Sequence, residues 1–186
     1  IGVGSLGRVS QGTDKETGEQ VAIKTVKRDS TSEENIAGEV DVMQEVGKHP
    51  HIVGLKGVYA DDMGWHIVME LAQGGELYER LVNEGMLSEG DSRCVMKQIA
   101  SAAAHLHEKG IVHLDIKPEN IMLAHSSVGA PSVMLTDFGS AFRVREGSPE
   151  CKHYTAAYSP PEVIRGDNIS EKADVWALGV IMYILL

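Results

Sequence analysis

The sequence predicts an α+β protein in two parts, a small strand-rich one over residues 1–72 and a larger helical one over residues 73–186. Up to about residue 72, short runs rich in Val, Ile and Thr alternate with turn-forming clusters. Beyond the pair Gly74-Gly75 the apolar residues recur at helical spacing instead. A composition of 42% hydrophobic and 24% charged residues in a chain of 186 belongs to an ordinary globular protein and excludes disordered and collagen-like classes. Such a length buries roughly 70% of the unfolded surface.

The elements follow in order. Residues 2–10 and 19–26 flank Asp14-Lys15-Glu16-Thr17-Gly18, a turn former, and predict a hairpin. A polar helix is expected over 32–46, with Ile36, Val40, Met43 and Val46 on one face. Residues 52–59 and 65–70 read as two further strands, joined through Asp61-Asp62-Met63-Gly64. Ser88 opens a helix with Asp91 as a partial capping box; Val95, Ile99, Ala102, Ala103 and Leu106 supply its apolar face, and Gly110 its C-terminal cap. Short strands are expected at 121–123 and 133–135, an irregular stretch over 139–166, and a last helix opening at Ser170.

With 17 Lys+Arg against 27 Asp+Glu the net charge is −10, which excludes a general nucleic-acid binder and suits cationic partners. Cys94 and Cys151 fall outside any CxxC spacing, so neither a disulfide framework nor a cysteine zinc site is expected; a reducing, intracellular setting is, cytoplasmic rather than nuclear. The pairs His49/His51 and His105/His107 lack acidic or Cys partners at metal-ligand spacing. The apolar run 175–186 is shorter than the roughly 20 residues that span a bilayer. It reads as a buried helix cut before its end. Together with a start at Ile1 lacking Met or a leader, this makes the chain an expected fragment, poorly soluble or inactive alone.

Three motifs carry chemistry. Gly2-Val3-Gly4-Ser5-Leu6-Gly7 is GxGxxG, but Val9 leads into a turn and a strand rather than the helix a dinucleotide-binding turn requires. A glycine hairpin laid over phosphates fits, with an unliganded β-turn as the plain alternative. Val21-Ala22-Ile23-Lys24 sets an ammonium on the paired strand, where burial demands an anion: phosphate oxygens, and Glu39 from among the next helix's apolar positions. A solvated surface lysine is the alternative. The decisive stretch is His113-Leu114-Asp115-Ile116-Lys117-Pro118-Glu119-Asn120, with Asp137-Phe138-Gly139 following 17 residues later. Two carboxylates and an amide on loops between strands can bind Mg²⁺ through oxygen and orient a hydroxyl nucleophile.

In these motifs the chain resembles a eukaryotic protein kinase catalytic domain over essentially its whole length. The resemblance implies the two-lobed kinase fold, with a β-rich N-lobe over 1–72 and a truncated helical C-lobe over 73–186. Pro160-Pro161-Glu162 stands for the usual Ala-Pro-Glu, and Asp174 for the aspartate that braces the catalytic loop. Lys117-Pro118-Glu119-Asn120 is the serine/threonine form. Val68-Met69-Glu70-Leu71, Gly74-Gly75-Glu76-Leu77 and His49-Pro50-His51-Ile52-Val53 are most similar to the calcium/calmodulin-dependent and plant-type calcium-dependent kinases. No calcium loop lies in these residues, so calcium or calmodulin would act only through segments outside them.

The resemblance implies ATP and Mg²⁺ as cofactors and assigns roles. Gly2, Gly4, Gly7, Val9 and Ala22 would cover the nucleotide, and Lys24, fixed by Glu39, would hold its α/β-phosphates. Met69 would back the pocket, Glu70 and Ala72 would offer backbone groups to adenine, and Glu76 would meet the ribose. Asn120 and Asp137 would ligate the metal. Asp115 would accept the substrate proton and Lys117 would reach the γ-phosphate, with Thr155 linking the two. Glu76 and Glu119 also stand where basophilic relatives meet Arg or Lys upstream of the target hydroxyl. A pseudokinase scaffold is the rival reading, opposed by the presence of every one of these polar residues. The chain departs from the pattern at Leu114, where many kinases carry the arginine that pairs with an activation-segment phosphate. Activity is therefore expected without such a phosphate on Ser148 or Tyr154, with no alternative lock legible. Leu6 and Pro160 are minor departures.

Overall fold

A computed structural model describes residues 2–4, 7–28, 33–125, 131–147 and 153–186. The first part is a five-stranded antiparallel sheet in the order β1-β2-β3-β5-β4, from β1 (Gly2–Gly4), β2 (Gly7–Thr13), β3 (Gln20–Val26), β4 (Leu55–Asp61) and β5 (Gly64–Glu70), with helix α1 (Glu33–Val46) after β3. The turn between β2 and β3 is where the sequence places it: Asp14 Oδ1 accepts the N–H groups of Glu16 and Thr17 at 2.8 Å, and Gly18 takes a φ of 73°.

Two expectations for this part need correction. The strand expected over 2–10 is broken into β1 and β2, which fold back on each other with Gly4 opposite Gly7 and Gly2 opposite Val9. A Cβ on Gly7 would lie 2.4 Å from the Thr25 carbonyl oxygen, so the close approach of β3 admits only glycine there. Ser5 and Leu6 lie outside the described residues. The strand expected from residue 52 starts only at Leu55, because residues 51–53 leave the sheet to pair with the second part. Ile52 bridges Leu135 in parallel, Val53 N–H donates to the Leu135 carbonyl, and Leu135 N–H donates to that of His51. Helix α1 buries Ile36, Val40, Met43 and Val46 as expected, and Val42 and Glu39 with them; Ser32, its expected start, is outside the described residues.

The second part contains α2 (Leu77–Glu84), α3 (Glu89–Glu108), β6 (Ile111–Val112), β7 (Ile121–Leu123), β8 (Val133–Leu135), β9 (Phe142–Arg143), α4 (Pro161–Arg165) and α5 (Lys172–Leu185). In α3, Ser88 Oγ accepts the Asp91 N–H and all five expected apolar residues are buried; Gly110, at φ 67°, donates to the His107 carbonyl. Strands β7 and β8 lie where expected, and they pair with each other. Helix α2 has no counterpart in the sequence reading. Its inward residues are Leu77 and Leu81, while Tyr78 and Val82 face solvent and blur the periodicity. Strands β6 and β9, two residues each, are too short for any periodic signal. Helix α5 begins two residues after Ser170, whose carbonyl accepts the Ala173 N–H.

One apolar core runs through both parts, from Ile36 and Val40 under the sheet, through Ile52, Met69 and Phe138, to Leu106 and Ile181. A second, smaller cluster joins Val112, Leu114, Phe142, Val163, Ile169 and Ala173, with Tyr154 against it. Among the described residues no helix is long and apolar enough to cross a membrane.

Candidate active site

A cleft partly open to solvent separates the sheet from the second part. Val9 and Ala22 line it from β2 and β3, Met69, Glu70 and Ala72 from β5 and the segment after it, and Glu76, Asn120 and Asp137 from the other side. Gly2, Gly4 and Gly7 form the β1–β2 hairpin beside Val9. Val53, Met122 and Thr136 also line the cleft. No motif announces these three, since their apolar or small side chains are indistinguishable in sequence from core.

Lys24 is the hinge of the cleft. It projects from β3, and its Nζ donates to Glu39 Oε1 at 2.6 Å and to Asp137 Oδ1 at 3.2 Å. Lys24 and Glu39 are each 6% exposed. Burial by itself would pull the lysine's pKa down, but the two carboxylates outweigh it and hold the ammonium above its usual range. Burial pushes the Glu39 carboxyl up, with Lys24 acting against it. Asp137 is half-buried, which by itself pushes its carboxyl up, yet Lys24 first, then His113 and the Gly139 N–H, keep it below the usual range and therefore ionised. The Lys24–Asp137 contact goes beyond the sequence reading, which pairs Lys24 with Glu39 alone.

Opposite the sheet, a second charged set is assembled from two loops. Thr155 Oγ1 donates to Asp115 Oδ1 at 2.6 Å and accepts from Lys117 Nζ at 2.8 Å, while Lys117 Nζ also reaches Asp115 Oδ2 at 2.8 Å. Asn120 Nδ2 donates to the Asp115 carbonyl at 2.8 Å and to Asp115 Oδ2 at 3.0 Å, so its amide oxygen is the atom that could hold a cation. Asp115, Lys117, Asn120 and Thr155 are thus held as one unit.

The loop that carries Asp115 is strained and braced. Leu114 takes a φ of 66° and Asp137 one of 64°, conformations costly for residues with a Cβ, on the order of 1–3 kcal/mol each. Asp174, 1% exposed at the start of α5, accepts the backbone N–H of His113 on Oδ2 and that of Leu114 on Oδ1, both at 2.9 Å, and His107 Nε2 also bonds it at 2.8 Å. His113 is fully buried. Its Nδ1 accepts the Asp115 N–H at 3.3 Å, its Nε2 donates to the Thr136 carbonyl at 3.1 Å, and its ring lies 5.1 Å from that of Phe138. The brace through Asp174 is where the resemblance places it; His107 as its third partner has no sequence signal, being 67 residues away.

Glu76 and Glu119 both face the cleft. Partial burial, then Glu79 and Glu119, push the Glu76 carboxyl above its usual range. Glu119 Oε2 is buried and makes no hydrogen bond among the described residues.

A small antiparallel sheet with a buried lysine–glutamate pair, set over a helical part that presents carboxylates and an amide on braced loops, defines a protein kinase domain. The family model for the protein kinase domain matches residues 1–186, and the chain belongs to that family. It is 40% identical to serine/threonine-protein kinase 33 of Bos taurus, 39% to serine/threonine-protein kinase PEPKR2 of Arabidopsis thaliana and 39% to calcium-dependent protein kinase 7 of the same plant. Each comparison covers 100% of this chain but 40%, 38% and 35% of those proteins in turn, so the chain spans less than half of each.

Proposed function

We propose that the protein transfers the γ-phosphoryl group of Mg-ATP to serine or threonine hydroxyls of proteins, with a preference for sites that carry Arg or Lys upstream. The observation that supports this reading best is Lys24 held between Glu39 and Asp137, a buried ammonium that lines the cleft between the sheet and the second part.

The donor chemistry fits the cofactor. Asp137 and Asn120 offer a carboxylate and an amide oxygen, hard ligands of the kind Mg²⁺ prefers. Bound Mg-ATP supplies the transferable phosphoryl group and a cation that offsets its charge. Everything else is done by the chain. The ammonium of Lys24 orients the α/β-phosphates, and Glu39 keeps it in place. The Glu70 N–H is taken by the Gly54 carbonyl, so adenine has the Glu70 carbonyl to bond. Asp115, fixed by Thr155 and Asn120, accepts the proton of the attacking hydroxyl. Lys117, 2.8 Å from it, carries positive charge to where negative charge develops.

The upstream preference rests on Glu76 and the unsatisfied Oε2 of Glu119, which together suit the two-pronged guanidinium. The test is turnover by the full-length protein on paired peptides with Arg or Ala two to three residues before the serine. Glu119→Ala lowers kcat/KM for the basic peptide by roughly 1–3 kcal/mol and leaves the neutral one unchanged. Equal rates on the two peptides would remove the substrate preference; retention of full turnover by Asp137→Asn would remove the kinase reading itself.

A further inference from the structure

We infer that His49, His51 and His105 form a pH-sensitive joint between α1 and the second part: with all three rings neutral they hold the C-terminal end of α1 on α3, and a proton on His49 loosens that hold. The joint rests on the geometry of the three rings; only its effect on turnover rests on the kinase reading above.

His49 and His51 lie in the segment that leads from α1 to β4, and His105 lies in the last turn of α3. The His49 ring stacks on that of His105, with centroids 4.9 Å and planes 25° apart, and meets His51 edge-on at 5.7 Å. All three are half-buried. Their hydrogen bonds place one proton on each ring. His105 Nε2 donates at 2.8 Å to the carbonyl of Val46, the last residue of α1, and His51 Nδ1 donates to the Val133 carbonyl of β8 at 3.0 Å. His49 Nδ1 accepts the His51 N–H at 3.2 Å, so its own proton sits on Nε2, which donates to Ser101 Oγ of α3 at 3.3 Å. The stacked pair and the bonds to Val46, Val133 and Ser101 all join the first part of the chain to the second. Among the described residues no such cluster is placed to hold a metal ion.

A second proton on His49 is badly placed. On Nδ1 it faces the His51 N–H, donor against donor, and it sets a cation beside two further imidazoles. Burial first, then His105 and His51, hold the His49 imidazole below its ordinary range. No carboxylate offsets the charge: the imidazoles that meet carboxylates among the described residues are His66, on Asp61, and His107, on Asp174. Glu45 of α1 is taken by Arg143. The groove that His49 lines also carries Asp14, Glu19, Glu70, Lys48 and Lys56, with Glu19 paired to Lys56 at 2.7 Å. A histidine held below its ordinary value contributes stability that is full above that value and is lost as pH falls through the lowered one. Here the loss is local. The His51 N–H leads into residues 51–53, which pair with β8, and Val46 ends the helix that brings Glu39 to Lys24. Acidification therefore loosens the end of α1 and, through the helix, the contact between Glu39 and Lys24.

The test uses the full-length protein as wild type, His49→Gln and His105→Phe, from about pH 7.5 to about pH 5.5, the range in which imidazole titrates. Three quantities are measured: imidazole titration by NMR, peptide turnover, and hydrogen exchange of the Gly47 and Val53 amides, which donate to the Met43 and Leu135 carbonyls. Exchange rates are corrected for their intrinsic pH dependence. In the wild type both amides are expected to exchange roughly fivefold faster at the acid end, the scale of one lost hydrogen bond, and His49 to titrate below the ordinary imidazole value. His49→Gln, which cannot take the proton, shows equal exchange at both ends, keeps wild-type turnover at the neutral end and loses less of it on acidification. In His105→Phe, which keeps a stacked ring without a charge, His49 titrates closer to the ordinary value. If His49→Gln fails to fold, the His49 titration in the wild type and in His105→Phe carries the comparison. Wild-type exchange independent of pH, an equal acid response in His49→Gln, or a His49 that titrates at or above the ordinary value would overturn the joint. Equal acid loss of turnover in the wild type and His49→Gln would overturn its effect on catalysis. A wild type without any phosphoryl transfer would refute the kinase reading instead, and exchange and titration would still judge the joint.

Discussion

Replacing Asp174 by asparagine changes one oxygen into an amino group and almost no volume, so its effect isolates the hydrogen-bonding role of this buried carboxylate. Asp174 accepts three hydrogen bonds, from the backbone of His113, the backbone of Leu114 and the imidazole of His107. The two backbone donors lie on opposite oxygens. In the amide, one of them must therefore face an N–H group, donor against donor. One buried N–H is left unsatisfied, at a cost of about 1–3 kcal/mol, and the remaining bonds lose their charge assistance, about 1 kcal/mol each. The expected loss of stability is about 3–5 kcal/mol, or roughly 6–20 °C in Tm for a domain of this size. Freed from its brace, Leu114 relaxes out of its strained φ and carries Asp115 with it, so kcat falls even below the melting temperature. Thermal unfolding and peptide turnover of the full-length Asp174→Asn variant, beside Asp174→Ala, measure both effects. The reasoning demands that asparagine be nearly as damaging as alanine. An asparagine variant within 1 kcal/mol of wild type and fully active would refute it, since shape alone would then account for the site.

Lys24→Met removes the ammonium between Glu39 and Asp137, leaves the fold in place and lowers kcat by 10²–10³-fold, roughly 3–4 kcal/mol of transition-state stabilisation, as single-turnover assays would show. Gly74→Ala would set a Cβ 2.5 Å from Leu123 Cβ and 2.6 Å from the His125 carbonyl oxygen; a stability loss of about 1–3 kcal/mol is expected in denaturant unfolding, with no change in the chemistry of the cleft. Because Glu76 titrates above the usual carboxylate range, acidification neutralises it before an ordinary carboxylate, and the advantage of basic over neutral peptides shrinks as pH falls toward and through that raised pKa. A ratio of the two kcat/KM values independent of pH over this range would argue against Glu76 as a contact for basic substrates.

The sequence by itself determined what depends on neighbours along the chain. The Asp14–Gly18 turn, the Ser88 cap, the buried face of α3 and the positions of β7 and β8 follow from side-chain chemistry and spacing over a few residues. The motifs around Lys24, Asp115 and Asp137 were legible through their resemblance to the protein kinase family, whose motifs follow one another in this order along the chain. Glu39 could be picked out because a charge among apolar helix positions must find a partner. Only the tertiary structure decided which partners meet. It brought Lys24 to Asp137, 113 residues away, set His107 on Asp174, and drew residues 51–53 out of the sheet to pair with β8. It also packed Leu114 against Phe142, Val163 and Ala173 in one buried cluster, neighbours that its identity alone does not reveal, since a leucine reads as core wherever it stands. Its positive φ, the Asp174 brace and the Tyr154 contact exist only once chain segments 40 or more residues apart have packed together. Contacts of that kind depend on the whole chain's burial of apolar surface, which no local spacing encodes.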